Sequence, residues 1–226
     1  MLMNVGMIPD GMSVADIGCD HGYVSIYLVS TGKSTSVIAM DVAEGPLSSA
    51  RANIESAGLS DKIEVRLSDG AKKLELSEDG RLETDCILMA GIGGHLALKI
   101  VEDSLDKFEA ASFIVMQVQS DIELVRRRMY ELGFDIVSED MVLEDGKYYP
   151  VMGIKPGNSD SASRARYEYM YGPCLIRDRH PVLKDYLEYK RDGYTKILAG
   201  MGDESNPRAI EIKQLISDID YCLGLY

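Results

Sequence analysis

Apolar positions along this chain switch between the two-residue period of strands and the three-to-four-residue spacing of helices. Ser13 to Ile17 is a short apolar run ending in Asp16-Ile17-Gly18, and Tyr23, Ile26, Tyr27 and Leu28 then fall near helical spacing between Gly22 and Ser30. Strand, tight turn and helix are predicted. Thr35 to Met40 is a second β-rich run closed by Asp41, followed by Gly45-Pro46 at the start of a helix to about Ala57, with Gly58 at its C-cap. Lys62 to Leu67 predicts a third strand that stops at Ser68-Asp69-Gly70. Asp85 to Ala90 is apolar without alternation after its first residue, the pattern of a strand covered on both faces, and Gly91-Ile92-Gly93-Gly94 leads into a helix ending near Leu105. Phe113 to Met116 predicts a fifth strand and Asp121 to Leu132 a helix ending at Gly133. Phe134 to Val142 and Lys147 to Ile154 flank the hairpin turn Glu144-Asp145-Gly146.

Five β/α units finishing in an antiparallel pair describe a doubly wound, mainly parallel α/β sheet of seven strands with one reversed strand. Residues 156–163 are small and polar and read as a linker, which divides the chain into an α/β domain over 1–156 and a helical domain over 157–226. In the second part, Leu183, Tyr186, Leu187, Tyr194, Ile197 and Leu198 suit one helix, and Ile212, Leu215, Ile216, Ile219 and Leu223 suit another. A loop holding Gly200, Gly202 and Pro207 separates them. Two antiparallel helices packed as a short coiled coil are expected. At the other end, Met1 to Gly11 reads as the back half of an entry helix.

Charge narrows the chemistry. The net charge of −13 disfavours non-specific affinity for nucleic acid, but residues 157–226 carry 10 Lys+Arg against 11 Asp+Glu, so a polyanion meets least repulsion there. No apolar run approaches ~18 residues and no secretory signal is evident, which predicts a soluble cytoplasmic protein without membrane contact. Cys19, Cys86, Cys174 and Cys222 are far apart and form no CxxC pair. Buried, reduced thiols and no metal site are expected.

The turn Asp16-Ile17-Gly18-Cys19-Asp20-His21-Gly22 lies where a first strand meets a first helix, so its glycines let backbone N–H groups approach a ligand. A dinucleotide fingerprint needs glycine at position 20; Asp20 instead puts negative charge where a pyrophosphate would lie. S-adenosyl-L-methionine, which has no phosphate and carries an ammonium and a sulfonium, suits such a turn. A capping Asp20 in a ligand-free turn is the competing explanation. Asp41, 23 residues after Gly18 at the end of the second strand, is placed to accept from both ribose hydroxyls of an adenosine. Asp69 before Gly70 is placed to accept from the adenine amino group, although an Asp-Gly turn alone explains these two residues. At the fourth strand, Ala90-Gly91-Ile92-Gly93-Gly94-His95 lacks the Asn or Asp followed by Pro-Pro and an aromatic that is usual in methyltransferases of exocyclic base amines. An open edge is left for a flat substrate.

These residues resemble one family, the bacterial tRNA (adenine-N1)-methyltransferases that modify position 22. The resemblance rests on Ala15-Asp16-Ile17-Gly18-Cys19-Asp20-His21-Gly22-Tyr23, on Gly45-Pro46 after Asp41, on Met89-Ala90-Gly91-Ile92-Gly93-Gly94 and on Glu144-Asp145-Gly146-Lys147, and extends to Tyr171-Gly172-Pro173 before the helical pair. It implies a Rossmann-like class I methyltransferase fold with a coiled-coil-like C-terminal domain. It also implies cofactor contacts from Asp16, Gly18, Asp20, His21, Gly22, Asp41, Asp69, Gly70, Ala90 and Gly91, with Gly93 and Gly94 at the target-base entrance.

Adenine N1 has an in-plane lone pair and no proton, so methyl transfer to it needs positioning more than a strong base. His21, and less so Asp20, are candidates for orienting the base or accepting the N6 proton; a hydrogen bond that organises the loop is the alternative role for His21. His95 and His180 show no partner in the sequence. N1 lies on the Watson–Crick edge, so the adenine must be freed from pairing and the tRNA held meanwhile. Arg126, in the run Arg126-Arg127-Arg128, together with Arg164, Arg166, Arg177 and Arg179 are the candidate backbone contacts, against the alternative of solvated faces and local salt bridges. Two other readings stay open: the same fold acting on another RNA, a protein or a small molecule, and a catalytically silent RNA-binding module.

Overall fold

The computed structural model describes residues 2–157, 164–202 and 206–226. Seven strands form one sheet: β1 (Met12–Ile17), β2 (Ser34–Asp41), β3 (Ile63–Leu67), β4 (Cys86–Ile92), β5 (Phe113–Val118), β6 (Phe134–Glu144) and β7 (Lys147–Pro156). Their order is β3-β2-β1-β4-β5-β7-β6. The first five neighbours pair in parallel, whereas β7 runs antiparallel to both β5 and β6. The reversed strand is therefore the second arm of the hairpin, inserted between the first arm and the rest of the sheet. At the insertion, Gly153 leaves room for two neighbours: a Cβ there would stand 2.8 Å from the Phe113 ring and 2.3 Å from Ser138 Oγ.

The unbroken apolar run of β4 has a direct explanation. Ile87 and Met89 point into one core, Cys86 and Leu88 into the core on the opposite face, and all four are fully buried. One face is covered by α3 (Gly94–Asp103), α4 (Leu105–Ala110) and α5 (Ile122–Glu131), which contribute Leu98, Val101, Phe108, Val125 and Met129. The other is covered by α1 (Tyr23–Ser30) and α2 (Glu44–Ser56) through Leu28, Val29, Leu47, Ala50 and Ile54. Val5 and Ile8 join that second core from the N-terminal segment, where Leu2–Met7 is a 3-10 helix rather than the expected end of an α-helix. The helix expected to stop near Leu105 ends as α3 at Asp103, and Ser104, in a non-helical conformation, separates it from a further short helix, α4, that the pattern did not show.

The C-terminal part adds α6 (Arg166–Tyr171), α7 (Pro173–Arg177), α8 (Pro181–Ala199) and α9 (Pro207–Leu223). The two long helices run antiparallel: Leu183 and Leu187 near the start of α8 share a core with Ile219 and Cys222 near the end of α9, and Arg191 Nε lies 2.7 Å from Asp220. Asn206 caps α9 by accepting from the Arg208 amide at 2.9 Å, with Pro207 in the first turn. The short helices α6 and α7 were not visible as periodic patterns. Met141 of β6 belongs to the same core as the long helices, so the helical pair is seated on the edge hairpin. Residues 158–163 of the expected linker lie outside the described residues. Among those described, no helix is long and apolar enough to cross a membrane.

Candidate functional site

Because β3, β2, β1, β4 and β5 are parallel neighbours, their carboxyl ends form one continuous edge. The loops there carry residues 18–22, 41–43, 68–70, 93–94 and 119–121, so segments distant in sequence become adjacent. An open α/β sheet binds ligands at this edge.

The first loop is shaped by glycines in the left-handed region. Gly18 (φ 78°) and Cys19 turn their amides back onto the Met40 carbonyl at 2.8 and 2.9 Å. Gly22 (φ 74°) caps α1 and is pressed against α2, where a Cβ would lie 3.2 Å from that of Ala50. Asn53 of α2 donates to the His21 carbonyl at 3.0 Å. Asp20 itself takes φ 51°, which costs a non-glycine residue of order 1–3 kcal/mol and so marks a conformation imposed by its surroundings. Its amide donates to Asp41 Oδ2 at 3.2 Å, while Asp41 Oδ1 accepts from the Ala43 amide at 3.0 Å. Asp41 therefore ties the first loop to the second and remains partly exposed.

Asp16 lies beneath this loop. It is 4% exposed, and the Ser25 hydroxyl donates to its Oδ2 at 2.6 Å. Burial pushes its carboxyl up to about 6; the Ser25 bond opposes the rise and the charge of Asp41 adds to it. A desolvated carboxylate above that pH, short of positive charge, is a receptor for a cation. Cys19 is pushed up to about 12 by burial and by the surrounding carboxylates, so its thiol stays protonated and is no nucleophile.

At the third loop, Lys72 pairs with Asp69 and, through hydrogen bonding and charge, holds its carboxyl below the usual range. The Asp69 side chain is largely exposed, which leaves its other acceptor positions free for a ligand. Gly70 (φ 60°) packs on Ile100. At the fourth, β4 does not stop at Ala90 but bulges at Gly91 (φ 78°) and continues to Ile92. Gln117 of β5, 3% exposed, holds the bulge by accepting the Gly91 amide at 2.9 Å. Its part was not legible, since an isolated Gln in a strand carries no signal.

Two expected substrate contacts need correction. Gly94 is buried: its amide donates to Ser120 Oγ at 3.2 Å, and a Cβ would stand 2.5 Å from the Ser120 carbonyl. It lets α3 approach the 120–121 turn and does not line an entrance; Gly93 remains partly exposed. Arg126 is 1% exposed and cannot meet a tRNA backbone. Its Nε donates to Glu139 Oε1 at 2.8 Å and its Nη1 to the Tyr169 and Met170 carbonyls at 2.9 and 3.0 Å, while Glu139 Oε2 accepts the Cys174 amide at 2.9 Å. The group clamps α5, β6, α6 and α7 together. Its run is engaged too: Arg127 sits 4.2 Å over the Tyr169 ring and Arg128 pairs with Glu102 and Glu131.

The remaining arginines lie at or near the surface with weak local partners. Arg164 is stacked 4.1 Å over Tyr130 and lies 3.9 Å from Glu168, Arg166 is 3.8 Å from Asp218, and Arg177 holds Asp178 through two 2.7 Å bonds. The Arg164 and Arg166 ion contacts are long and their carboxylates half-buried, whereas the Arg177–Asp178 pair is exposed; ion pairs near the surface are worth ~0–1 kcal/mol, so an incoming phosphate can compete for these arginines. Arg179 is exposed at φ 51°. His21 is exposed with Nε2 3.6 Å from Asp20 Oδ1, beyond hydrogen-bond length, and its ring faces Tyr23 at 6.1 Å. The other two histidines do have neighbours: His180 Nε2 lies 2.9 Å from Asp140 Oδ1, and His95 Nε2 lies 3.9 Å from Asp121.

A doubly wound sheet with a closing antiparallel hairpin and an acidic, glycine-shaped carboxyl edge defines a Rossmann-like methyltransferase. Residues 14–221 match the family model described as tRNA (adenine(22)-N(1))-methyltransferase. The chain belongs to that family. It is 31% identical over 211 residues to the tRNA (adenine(22)-N(1))-methyltransferase of Bacillus subtilis, covering 90% of this chain and 87% of that protein. Among solved structures, the M. capricolum member bound to S-adenosyl-homocysteine superposes with a TM-score of 0.81 at 25% identity, over 99% of this chain and 96% of that one. A Streptococcus pneumoniae protein assigned as a tRNA (m1A22) methyltransferase, in complex with S-adenosyl-L-methionine, gives 0.83 at 28% identity, over 98% and 96%.

Proposed function

We infer that this enzyme transfers a methyl group from S-adenosyl-L-methionine to N1 of adenine 22 in tRNA. Family membership supports the reaction, and the carboxylate edge supports the cofactor. A buried carboxylate below a loop of turned amides, a second carboxylate at the end of β2 and a third beyond β3 match an ammonium, a ribose diol and an adenine amino group in that order. In this reading Asp16 balances the ammonium, Gly18, Asp20, His21 and Gly22 close over the methionine part, Asp41 takes the ribose hydroxyls, Asp69 and Gly70 flank the adenine, and Ala90 and Gly91 border the methyl group.

When bound, S-adenosylmethionine supplies an electrophilic methyl group on a positively charged sulfur. The N1 lone pair forms the new bond to carbon as the sulfur–carbon bond breaks and sulfur keeps its electron pair. Positioning is the main contribution of the chain: with no large side chain at Gly91 or Gly93, a flat base can approach in line, an effect of up to ~7–11 kcal/mol. The methylated base carries a positive charge, relieved by loss of an N6 proton. His21, exposed at the rim beside Asp20, is the side chain assigned to receive it.

The helical part, residues 157–226, is assigned to hold tRNA through the exposed Arg179 and through Arg164, Arg166 and Arg177, whose local pairs can open toward phosphates. Action on tRNA goes with a cytoplasmic enzyme. The test is methyl incorporation from labelled S-adenosylmethionine into unmodified tRNA transcripts with adenine or guanine at position 22. Incorporation into the adenine transcript alone is expected. Equal incorporation into both would move the reaction to another site.

A further inference from the structure

In the sheet, β4 and β5 lie side by side, so the turn that leaves β5 flanks the Gly91–Gly93 segment on the side away from the loops of β1, β2 and β3. Direct contacts join this turn to that segment. The Gln119 amide donates to the Ile92 carbonyl at 2.9 Å, the Gly94 amide donates to Ser120 Oγ at 3.2 Å, and a Cβ on Gly93 would stand 3.5 Å from the same hydroxyl. Ser120 in turn donates to Asp121 Oδ2 at 2.7 Å, which fixes a carboxylate beside Gly93. Asp121 stands where an aspartate ordinarily caps the following helix, yet its side chain makes no capping bond to α5. Its φ of 54° is uncommon for a residue other than glycine. Oδ1 has no partner among the described residues, and His95 Nε2, 3.9 Å from Oδ2, is beyond hydrogen-bond length. With the side chain 40% exposed, a ligand at this edge can reach the free oxygen.

The edge of adenine that faces the methyl group carries N1, with the C6 amino group on one side and C2–H on the other. An ionised carboxylate only accepts hydrogen bonds, so it pairs with the amino group and repels a 6-oxo oxygen in the same place. We propose that Asp121 recognises the target base, its Oδ1 accepting one N6 hydrogen while N1 points at the methyl group. The proposal rests on adenine 22 of tRNA being the substrate. In the order β1-β4-β5 the His21 loop and the Asp121 turn stand on opposite sides of Gly91 and Gly93, so the second N6 hydrogen stays available to His21. As the N1–carbon bond forms and sulfur keeps the electron pair of the bond that breaks, positive charge passes to N1 and, through C6, to N6. A carboxylate bonded to N6 therefore gains strength in the transition state, and Asp121 acts on turnover as well as on base choice, with no proton passing to it.

The test uses the full chain, wild type and with Asp121→Gly or Asp121→Asn, and two tRNA transcripts that differ only at position 22: adenine, or unsubstituted purine, which keeps N1 and lacks the 6-amino group. Glycine suits the backbone at 121 and removes the carboxylate, and Asn keeps an uncharged acceptor. Single-turnover methyl transfer, tRNA binding and S-adenosylmethionine binding are read in parallel. Asp121→Gly is expected to slow transfer to the adenine transcript about 10- to 100-fold, the range of a hydrogen bond to a charged group, with cofactor affinity unchanged. Transfer to the purine transcript, slow in wild type, should lose little more, so the adenine-to-purine rate ratio falls by the same factor; Asp121→Asn should lie between. A ratio unchanged in both variants would overturn the proposal, whether the rates stay normal or drop together as a merely structural turn would make them. Equal rates on the two transcripts in wild type would overturn it without any variant. A wild type that binds cofactor but methylates neither transcript would fail the reading of adenine 22 as substrate, and the proposal with it.

Discussion

Replacing Asp16 by Asn separates what this residue costs the fold from what it does for the cofactor. The carboxyl is buried and raised from 3.8 to about 6, so between those values the folded state holds a proton that the unfolded state has lost. Stability therefore falls as pH rises through this window, and above it the ionised group costs roughly 3 kcal/mol. Between pH 5 and pH 7.5 roughly 1–2 kcal/mol of this develops, which for a chain of this size is a melting difference of about 2–8 °C. Asn keeps an acceptor for the Ser25 hydroxyl and carries no charge. The Tm of Asp16→Asn minus that of wild type should thus increase by that amount over the same interval, measured without cofactor. Carboxylates held low by partners, such as Asp69, Asp103 and Asp178, pull stability the other way in both proteins and cancel in the difference. A cationic ammonium above Asp16 reverses its role: wild-type affinity for S-adenosylmethionine should weaken about tenfold from pH 7.5 to pH 5, as the carboxylate protonates. The variant should bind weakly at both. A melting difference independent of pH would refute the buried-charge argument, and equal cofactor affinities would refute the assignment to the ammonium.

Arg126→Met leaves Glu139 buried without its cation and should destabilise the protein by about 3–5 kcal/mol in denaturant unfolding, whereas the double variant with Glu139→Leu should recover most of the loss. A single variant as stable as wild type would show that the clamp is not what joins the helices to the sheet. Gln117→Leu removes the acceptor of the Gly91 amide and should cost about 1–3 kcal/mol. Its kcat should fall with cofactor affinity little changed; normal turnover would mean that the bulge at Gly91 does not shape the methyl-transfer edge.

Local chemistry made much of the molecule legible. Strand ends at Asp16-Ile17-Gly18, Asp41 and Asp69-Gly70 could be read because a chain leaving a buried strand must turn, and glycine or a short polar residue marks where. The uniform apolar run of β4 announced a strand covered on both faces, and a parallel sheet then puts successive loops on one edge. That much of the site followed from neighbours in sequence. The chain order also suggested a closing hairpin, but not that β7 would slip between β5 and β6, since both arms have apolar faces and only the sum of their contacts chooses the inner place.

What tertiary structure alone decided are the pairings across long sequence distances. From its basic run Arg126 reads as a contact for the tRNA backbone; Glu139 and the carbonyls of Tyr169 and Met170, 13 to 44 residues away, make it a buried clamp instead. Gln117 and Ser120 gained their parts from Gly91 and Gly94, each 26 residues earlier. Periodicity and turn propensity are properties of a few consecutive residues, whereas burial and partner choice belong to the whole packed chain. The carboxylate edge was therefore readable from the sequence, and the clamp was not.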